Sequence, residues 1–468
     1  MKTNGIISAF FPCFLSAATC IEACLAQGNE PAGAQKIVYQ AIEIFPLVSQ
    51  HVHGSTVVEL PNGDLLAAWF QGSGERWADD VAIMGSRLRA GQTAWRTPFV
   101  MADVPGFPDI NPILFLDPQN RLWLTWYTVL ANQWETSLLK CRISENYQSM
   151  DGAPEWRWQD VLHVKAGDPA ERGIQPGDRF VKSVERQIKE YSEKTLSDLS
   201  DLSDGSDSAT LQVTRGIIDR WAEDLLSKAR GQDMMRSGRL PDGKGGYTEQ
   251  KMGYPYFRRV GWQTKNKAVI VDKTRMIIPL YSDGFSFSLM AITDDAGQTW
   301  QFSDPLVGAG NIQPSIAKKA DGTLVAYMRD NGPPPKRLHI SQSTDKGLTW
   351  SLVTDSELPN PGSGADVVTL QNGHWTMAYN DTESGRHSLA VSISTDEGKT
   401  WQYTRHLEQD TRDRQLATSS SYPSIIQGRD GTSHVVYSYH HNDRQTGPNK
   451  TIKYVRFNEA WVRAKENE

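Results

Sequence analysis

The sequence predicts an all-β chain folded as a six-bladed β-propeller with a helical insertion between blades 2 and 3. Three observations predict it. A segment of the pattern Ser/Thr-x-Asp-x-Gly-x-Thr-Trp recurs at 293–300, 343–350 and 394–401. A hairpin pattern, offset from that segment, recurs six times. The stretch 166–250 fits neither pattern and reads as helix.

The first repeat sets the blade length. Its aspartates Asp295, Asp345 and Asp396 are spaced by 50 and then 51 residues, the length of one four-stranded blade. The residue types suit a turn. The Asp accepts hydrogen bonds from the turn's own backbone, the Gly permits positive φ, and the Trp plugs into the blade. A structural role is therefore expected, with 86–95 as a decayed copy.

The second repeat pairs two β-rich runs across an Asn-Gly, Asp-Gly or similar turn, a hairpin signature. Copies begin near Ser55, Ile110, Ala268, Pro314, Val367 and Tyr422. Six copies imply six blades, with the starts gathered around one end of a central channel. Blades 1 and 2 are expected within 40–165 and blades 3 to 6 within 251–465. In the intervening 166–250, Phe180, Val184, Ile188 and Tyr191 share one helical face, and Ile217, Ile218, Trp221, Leu225 and Leu226 form a second stripe. A Ser/Asp-rich linker, 197–208, is expected between them. Such an insertion can pack against the propeller's side or lie over the channel mouth.

Residues 1–26 read as a signal peptide. Lys2 precedes an apolar run from Ile6 to Cys20 that is too short to span a bilayer, and Ala26 suits the end of a cleavage site. A secreted or periplasmic location is expected. Lipid anchoring at Cys20 or Cys24 fits less well, because the residues before them depart from a lipobox. Three of the four cysteines lie in this leader, so Cys141 has no disulfide partner in the remainder. A net charge of -6 without a basic block argues against nucleic acid as a partner. No later segment reads as membrane-spanning. The 15 Trp are expected mainly in structural slots, although Trp faces also stack on sugar rings.

Together the Asp boxes and hairpins resemble the sialidase (neuraminidase) superfamily, in particular bacterial proteins with BNR repeats, over about residues 45–460 apart from the insertion. The resemblance implies a Tyr nucleophile with a Glu base, a loop Asp as general acid/base, and three arginines on the substrate carboxylate. The Tyr route is an exception to the two-carboxylate scheme, and a neutral phenol is not repelled by an anionic sugar. Tyr422, in Ser421-Tyr-Pro-Ser-Ile-Ile, matches the nucleophile. Arg329 ends a β-run before one Asp box, and Arg386 lies ten residues before Asp396; these match the second and third arginines and can hold a carboxylate by paired contacts. Two positions depart from the family. His53 stands where the first arginine belongs. Gln313, sixteen residues before Arg329, stands where the Glu belongs, and an amide cannot take the tyrosine's proton. For the acid the resemblance points to the loop 72–80, where Asp79 is chosen and Asp80 and Glu75 are rivals.

Further substrate contacts are expected from Glu75 and Arg76 in that loop, and from Asn111, Lys265, Asn266 and Asp366 at the strand mouths. Tyr437, Tyr439, His440 and His441 can line the rim. No cofactor is implied, and no metal-site spacing appears. Three functions are carried forward. The leading one is a sialidase-like exo-acting glycoside hydrolase on an acidic or modified sugar of glycans. The second is a polysaccharide lyase acting on uronic acid, with His53 and Tyr422 as base and acid. The third is a non-catalytic glycan-binding propeller.

Overall fold

The structure, a computed structural model, describes residues 36–167, 177–202, 208–231, 236–241, 244, 246–252, 256–413, 415–443 and 447–464. The expected leader lies outside them. Six antiparallel sheets form the blades, all of four strands except the third, whose inner strand is split. The inner strands of blades 1, 2, 4, 5 and 6 are His51–Glu59, Asp109–Leu116, Asn311–Lys318, Asp366–Thr369 and Ser419–Gln427. In blade 3, Trp262–Gln263 and Val269–Ile270 both pair with Met276–Ser282. Blade 6 is completed from the other end of the chain, where Tyr39–Glu43 pairs with Lys450–Phe457.

The core lies between the blades. Six separate apolar clusters each fill one seam between consecutive sheets. In the seam of blades 1 and 2, Leu66 and Phe70 meet Ile110 and Trp126. Trp69, Trp123, Trp126, Trp262 and Trp375 are fully buried, so these indoles serve as seam fillers. Each large side chain taken from water contributes about 1.5–3 kcal/mol.

The Asp boxes lie between the third and fourth strands of blades 3, 4 and 5, at the end away from the inner-strand starts. In the blade 4 box, Asp345 accepts from Leu348 N at 3.0 Å, Thr349 N at 2.9 Å, Thr349 Oγ1 at 2.6 Å and Ser343 Oγ at 2.8 Å. Gly347 turns at φ 90°, and a Cβ there would sit 2.5 Å from Ile277 of the preceding blade. The box is thus a self-bonded plug at a seam, as its composition suggests.

Helices α1 (Arg179–Leu202) and α2 (Ser208–Arg230) follow blade 2 and precede blade 3. Phe180, Val184 and Ile188 are buried against Phe285, Phe287 and Val307 of blade 3 and the loop after it. Gln187 fixes α1 to that loop, donating to Pro305 O at 2.6 Å and accepting from Val307 N at 3.0 Å. Three details differ from expectation. The helices run into the expected linker as far as Leu202 and from Ser208. Ile217 faces outward, 52% exposed, because Ile218, Leu225 and Ala229 form the buried edge. The stretch also holds a hairpin, Arg236–Pro241 with Tyr247–Met252, where no strand was expected.

Asp345→Ala removes the acceptor that closes the blade 4 box. It is expected to lower stability by about 1–3 kcal/mol in urea denaturation, without altering ligand binding at the distant channel mouth.

Candidate functional site

Four inner strands carry the same irregularity near their starts. Their pairing shifts register between His53 and Thr56, Ile110 and Ile113, Ile312 and Ser315, and Ser421 and Ser424. At each shift one residue has positive φ: Gly54 at 64°, Asn111 at 46°, Gln313 at 56° and Tyr422 at 54°. Asn111, Gln313 and Tyr422 are each followed by proline, which donates no N–H to the ladder. A bulge of this kind re-aims its side chain, here toward the channel. Blade 1 uses glycine because a Cβ at Gly54 would lie 2.4 Å from Asn111 Oδ1.

The result is a pocket of about 350 Å³ at the channel mouth. It brings together His53, Glu75, Asn111, Gln313, Arg329, Arg386 and Tyr422. At its centre Tyr422 Oη accepts from Arg329 Nη1 at 2.8 Å and Gln313 Nε2 at 2.9 Å. The Arg386 guanidinium carbon lies 5.3 Å from the Tyr422 ring centre, and Arg386 Nη2 donates to Gly362 O at 3.0 Å. The His53 ring stands 4.2 Å from the Tyr422 ring, tilted by 33°, with Nδ1 2.8 Å from Ser438 Oγ. Burial, reinforced by His440, Arg386, His51 and Lys265, holds His53 well below the ordinary histidine range and therefore neutral.

Several expected site residues lie elsewhere. Asp79 is an exposed loop residue facing Asn132 at 3.4 Å, outside the pocket wall. Its neighbour Asp80 caps the turn, accepting from Ser73 N and Oγ at 3.0 and 2.7 Å. Glu75 is the carboxylate of this loop that faces inward. Asp366 is wholly buried and saturated. It accepts from Lys267 Nζ at 2.8 Å, Ser315 Oγ at 2.6 Å and Ile425 N at 2.8 Å, tying four blades together below the pocket. Lys265 lies beneath Tyr422, donating to Pro423 O at 3.0 Å and Asn266 Oδ1 at 3.1 Å, and steadies the bulge from below. Asn266 donates to Gln313 O at 3.0 Å, a bond between blades. Arg76 is stacked between Trp77 and Trp134. Tyr437, Tyr439, His440 and His441 are not in the pocket wall.

Other wall residues went unread in the sequence. Tyr127, Tyr281, Asp283 and Asn331 lie at or just past the exits of second strands, the same level as Arg329. That repeated exit position was the available signal. Asn111 Nδ2 reaches Tyr127 Oη at 3.1 Å and Tyr281 Oη at 3.4 Å.

The two wall carboxylates differ. Burial would raise Glu75, but His51 Nε2 at 3.2 Å, with Arg76 and Arg386, outweighs it and holds Glu75 below the usual range. Burial dominates at Asp283, raising it to about 6 against the opposing pull of Arg329. Among the described residues, no three or more His, Cys, Asp or Glu side chains are placed to share a metal ion, and no helix is long and apolar enough to cross a membrane.

Residues 63–172 and 259–435 match the BNR repeat-like domain, more than half of the chain. No curated protein matches the sequence. Among solved structures, a protein of unknown function from Dyadobacter fermentans superposes with a TM-score of 0.57 at 12% identity, over 90% of this chain and 99% of that one. The intramolecular trans-sialidase of Ruminococcus gnavus, in complex with oseltamivir carboxylate, gives 0.55 at 14% identity over 90% and 98%. The Hadza microbial sialidase Hz136 gives 0.55 at 12% over 88% and 66%. At these identities the likeness is one of fold.

Lys265 gives a stability signature. Burial lowers it from 10.5 to about 8. Between these values the unfolded chain holds the proton that the folded chain has lost, so stability rises with pH across that window. The expected gain is about 3 kcal/mol. Denaturation series at increasing pH check it, and Lys265→Met is expected to abolish the rise.

Proposed function

The chain belongs to the BNR repeat-like family, with a sialidase-like fold, and on that footing we propose that the pocket is the active site of a glycoside hydrolase acting on an acidic sugar at a glycan end. The observation that carries the reading is the convergence of Arg329 and Gln313 on Tyr422 Oη, at 2.8 and 2.9 Å, with Arg386 beside the ring. Two N–H donors aimed at one phenolic oxygen stabilise charge developing there as its proton leaves. Arg329 and Arg386 supply the positive charge that an anionic sugar requires.

In this reading Tyr422 Oη attacks the anomeric carbon and the glycosidic bond to the leaving oxygen breaks. Gln313 positions the phenol without accepting its proton. That proton passes to His53 or Glu75, the unprotonated bases in the wall. The leaving oxygen takes a proton from Asp283; water then attacks the anomeric carbon and breaks its bond to Tyr422 Oη, giving one proton to Asp283, while the proton held by His53 or Glu75 returns to Tyr422. Glu75 kept ionised and Asp283 protonated below about pH 6 follow the rule that contrasting environments assign acid and base. With Asp283 neutral, two arginines face one wall carboxylate, which favours anionic substrates on the acid side of pH 6.

A second reading rests on His53. A neutral imidazole beside Tyr422, with Arg329 to neutralise a uronate, also suits proton abstraction and elimination.

Tyr422→Phe is expected to lose about a thousandfold or more in turnover on a panel of sialylated and uronate-bearing glycans. Undiminished reducing-sugar release from that variant defeats the hydrolase reading. An ultraviolet-absorbing unsaturated product instead of water incorporation assigns the lyase.

Asp283→Asn is expected to cost about 10²–10⁴-fold with poor leaving groups and little with activated aryl leaving groups. In wild type, activity on poor leaving groups should fall as pH rises through about 6, and the variant should lose that limb. Because burial makes the Asp283 charge unfavourable, the variant should be no less stable than wild type at neutral pH. Equal losses on both substrate classes contradict the acid role.

A further inference from the structure

We propose, resting on the acidic-sugar reading of the pocket, that Trp77 is a binding platform for a second, neutral pyranose ring, the one joined to the sugar held by Arg329 and Arg386. Trp77 is 62% exposed, whereas five other tryptophans are fully buried in seams. It belongs to the blade 1 loop that also sends Glu75 into the pocket.

A continuous column connects it to the pocket. Tyr127 and Trp134, both in the wall, meet edge to face with ring centres 6.2 Å apart. The Arg76 guanidinium lies 4.9 Å from the Trp134 ring and 4.6 Å from the Trp77 ring, so one planar cation is held between two indoles. Asn132 Nδ2 donates to Arg76 O at 2.7 Å, which pins the blade 1 loop to blade 2. The pocket wall therefore continues outward, through flat groups in contact, to an exposed indole.

This arrangement has a cost in water: Trp77 rests on Arg76 and belongs to none of the six seam clusters. A large exposed apolar side chain gains nothing from its seam neighbours, and the Arg76 stem is ordered before any ligand arrives. Preordering of that kind lowers the entropy a ligand must lose. A flat, rigid, partly polar aromatic beside a polar pocket suits the C–H face of a pyranose. The pocket itself, about 350 Å³, is already committed to the acidic sugar by its arginines. The next ring of the glycan is the group that remains to be covered. The substrate class is thus an oligosaccharide with an acidic end, rather than a free acidic monosaccharide.

Calorimetric titration of the full chain carrying Tyr422→Phe, which prevents turnover, tests this. The single-sugar probes are N-acetylneuraminic acid and glucuronic acid. The extended probes are sialyllactose and a glucuronate-terminated disaccharide. Adding Trp77→Ala should weaken the extended probe about tenfold, to the level of its single sugar, while leaving the single sugar's affinity unchanged. Trp77→Phe should retain most of the difference. Unchanged affinity for the extended probe, or equal weakening of both probes, overturns the platform and leaves the pocket reading intact. Failure of every probe to bind overturns the pocket reading and the platform with it.

Discussion

The site depends on a backbone conformation that ordinary residues avoid. Asn111, Gln313 and Tyr422 all turn left-handed near the starts of their strands, and each is followed by proline. Left-handed φ costs a non-glycine residue about 1–2 kcal/mol. The seams between the blades hold it in place. Three side chains from three blades are thereby turned into one pocket, at sequence separations that no local motif could bridge. Gly54 completes the set by vacating the space that Asn111 and Phe70 occupy.

Charge is distributed unevenly around the tyrosine so positioned. Arg329 reaches its oxygen, Arg386 flanks its ring, and Lys265 lies 5.4 Å from the same ring centre. The carboxylates of the wall are carried by other elements, Glu75 by a loop of blade 1 and Asp283 by a strand exit of blade 3. The Gln313 amide donates to the phenolic oxygen, where the carboxylate implied by the resemblance would accept, and it brings no negative charge to that side. The pocket thus becomes more cationic near Tyr422, and the burden of accepting a proton moves to other groups.

Legibility in the sequence followed the range of the interaction. The boxes and hairpins were readable because their bonds close within a few residues, as Asp345 shows. Tyr422, Arg329 and Arg386 were readable through their motifs and meet in space as expected. The loop 72–80 was harder. Its carboxylates look alike in sequence, and only the fold shows Asp80 spent on Ser73, Asp79 facing outward and Glu75 facing in. Asp366 resembled a channel-mouth contact because its partners come from three other blades and leave no local trace. Asp283 escaped notice although Asn331 occupies the matching place in blade 4. The hairpin of Arg236–Pro241 and Tyr247–Met252 lacks the alternation of β-branched and polar residues that would mark strands.

The closure of blade 6 bears on how the ring forms. Tyr39–Glu43 is made before all the other blade strands, yet its partner Lys450–Phe457 is made after them. The early strand must wait as an open edge while five sheets assemble, and the last contact formed is also the one of greatest sequence separation. Contacts of that kind slow folding. They also make the circle cooperative, since peeling away one short ribbon opens the outer edge of the sheet whose innermost strand carries Tyr422.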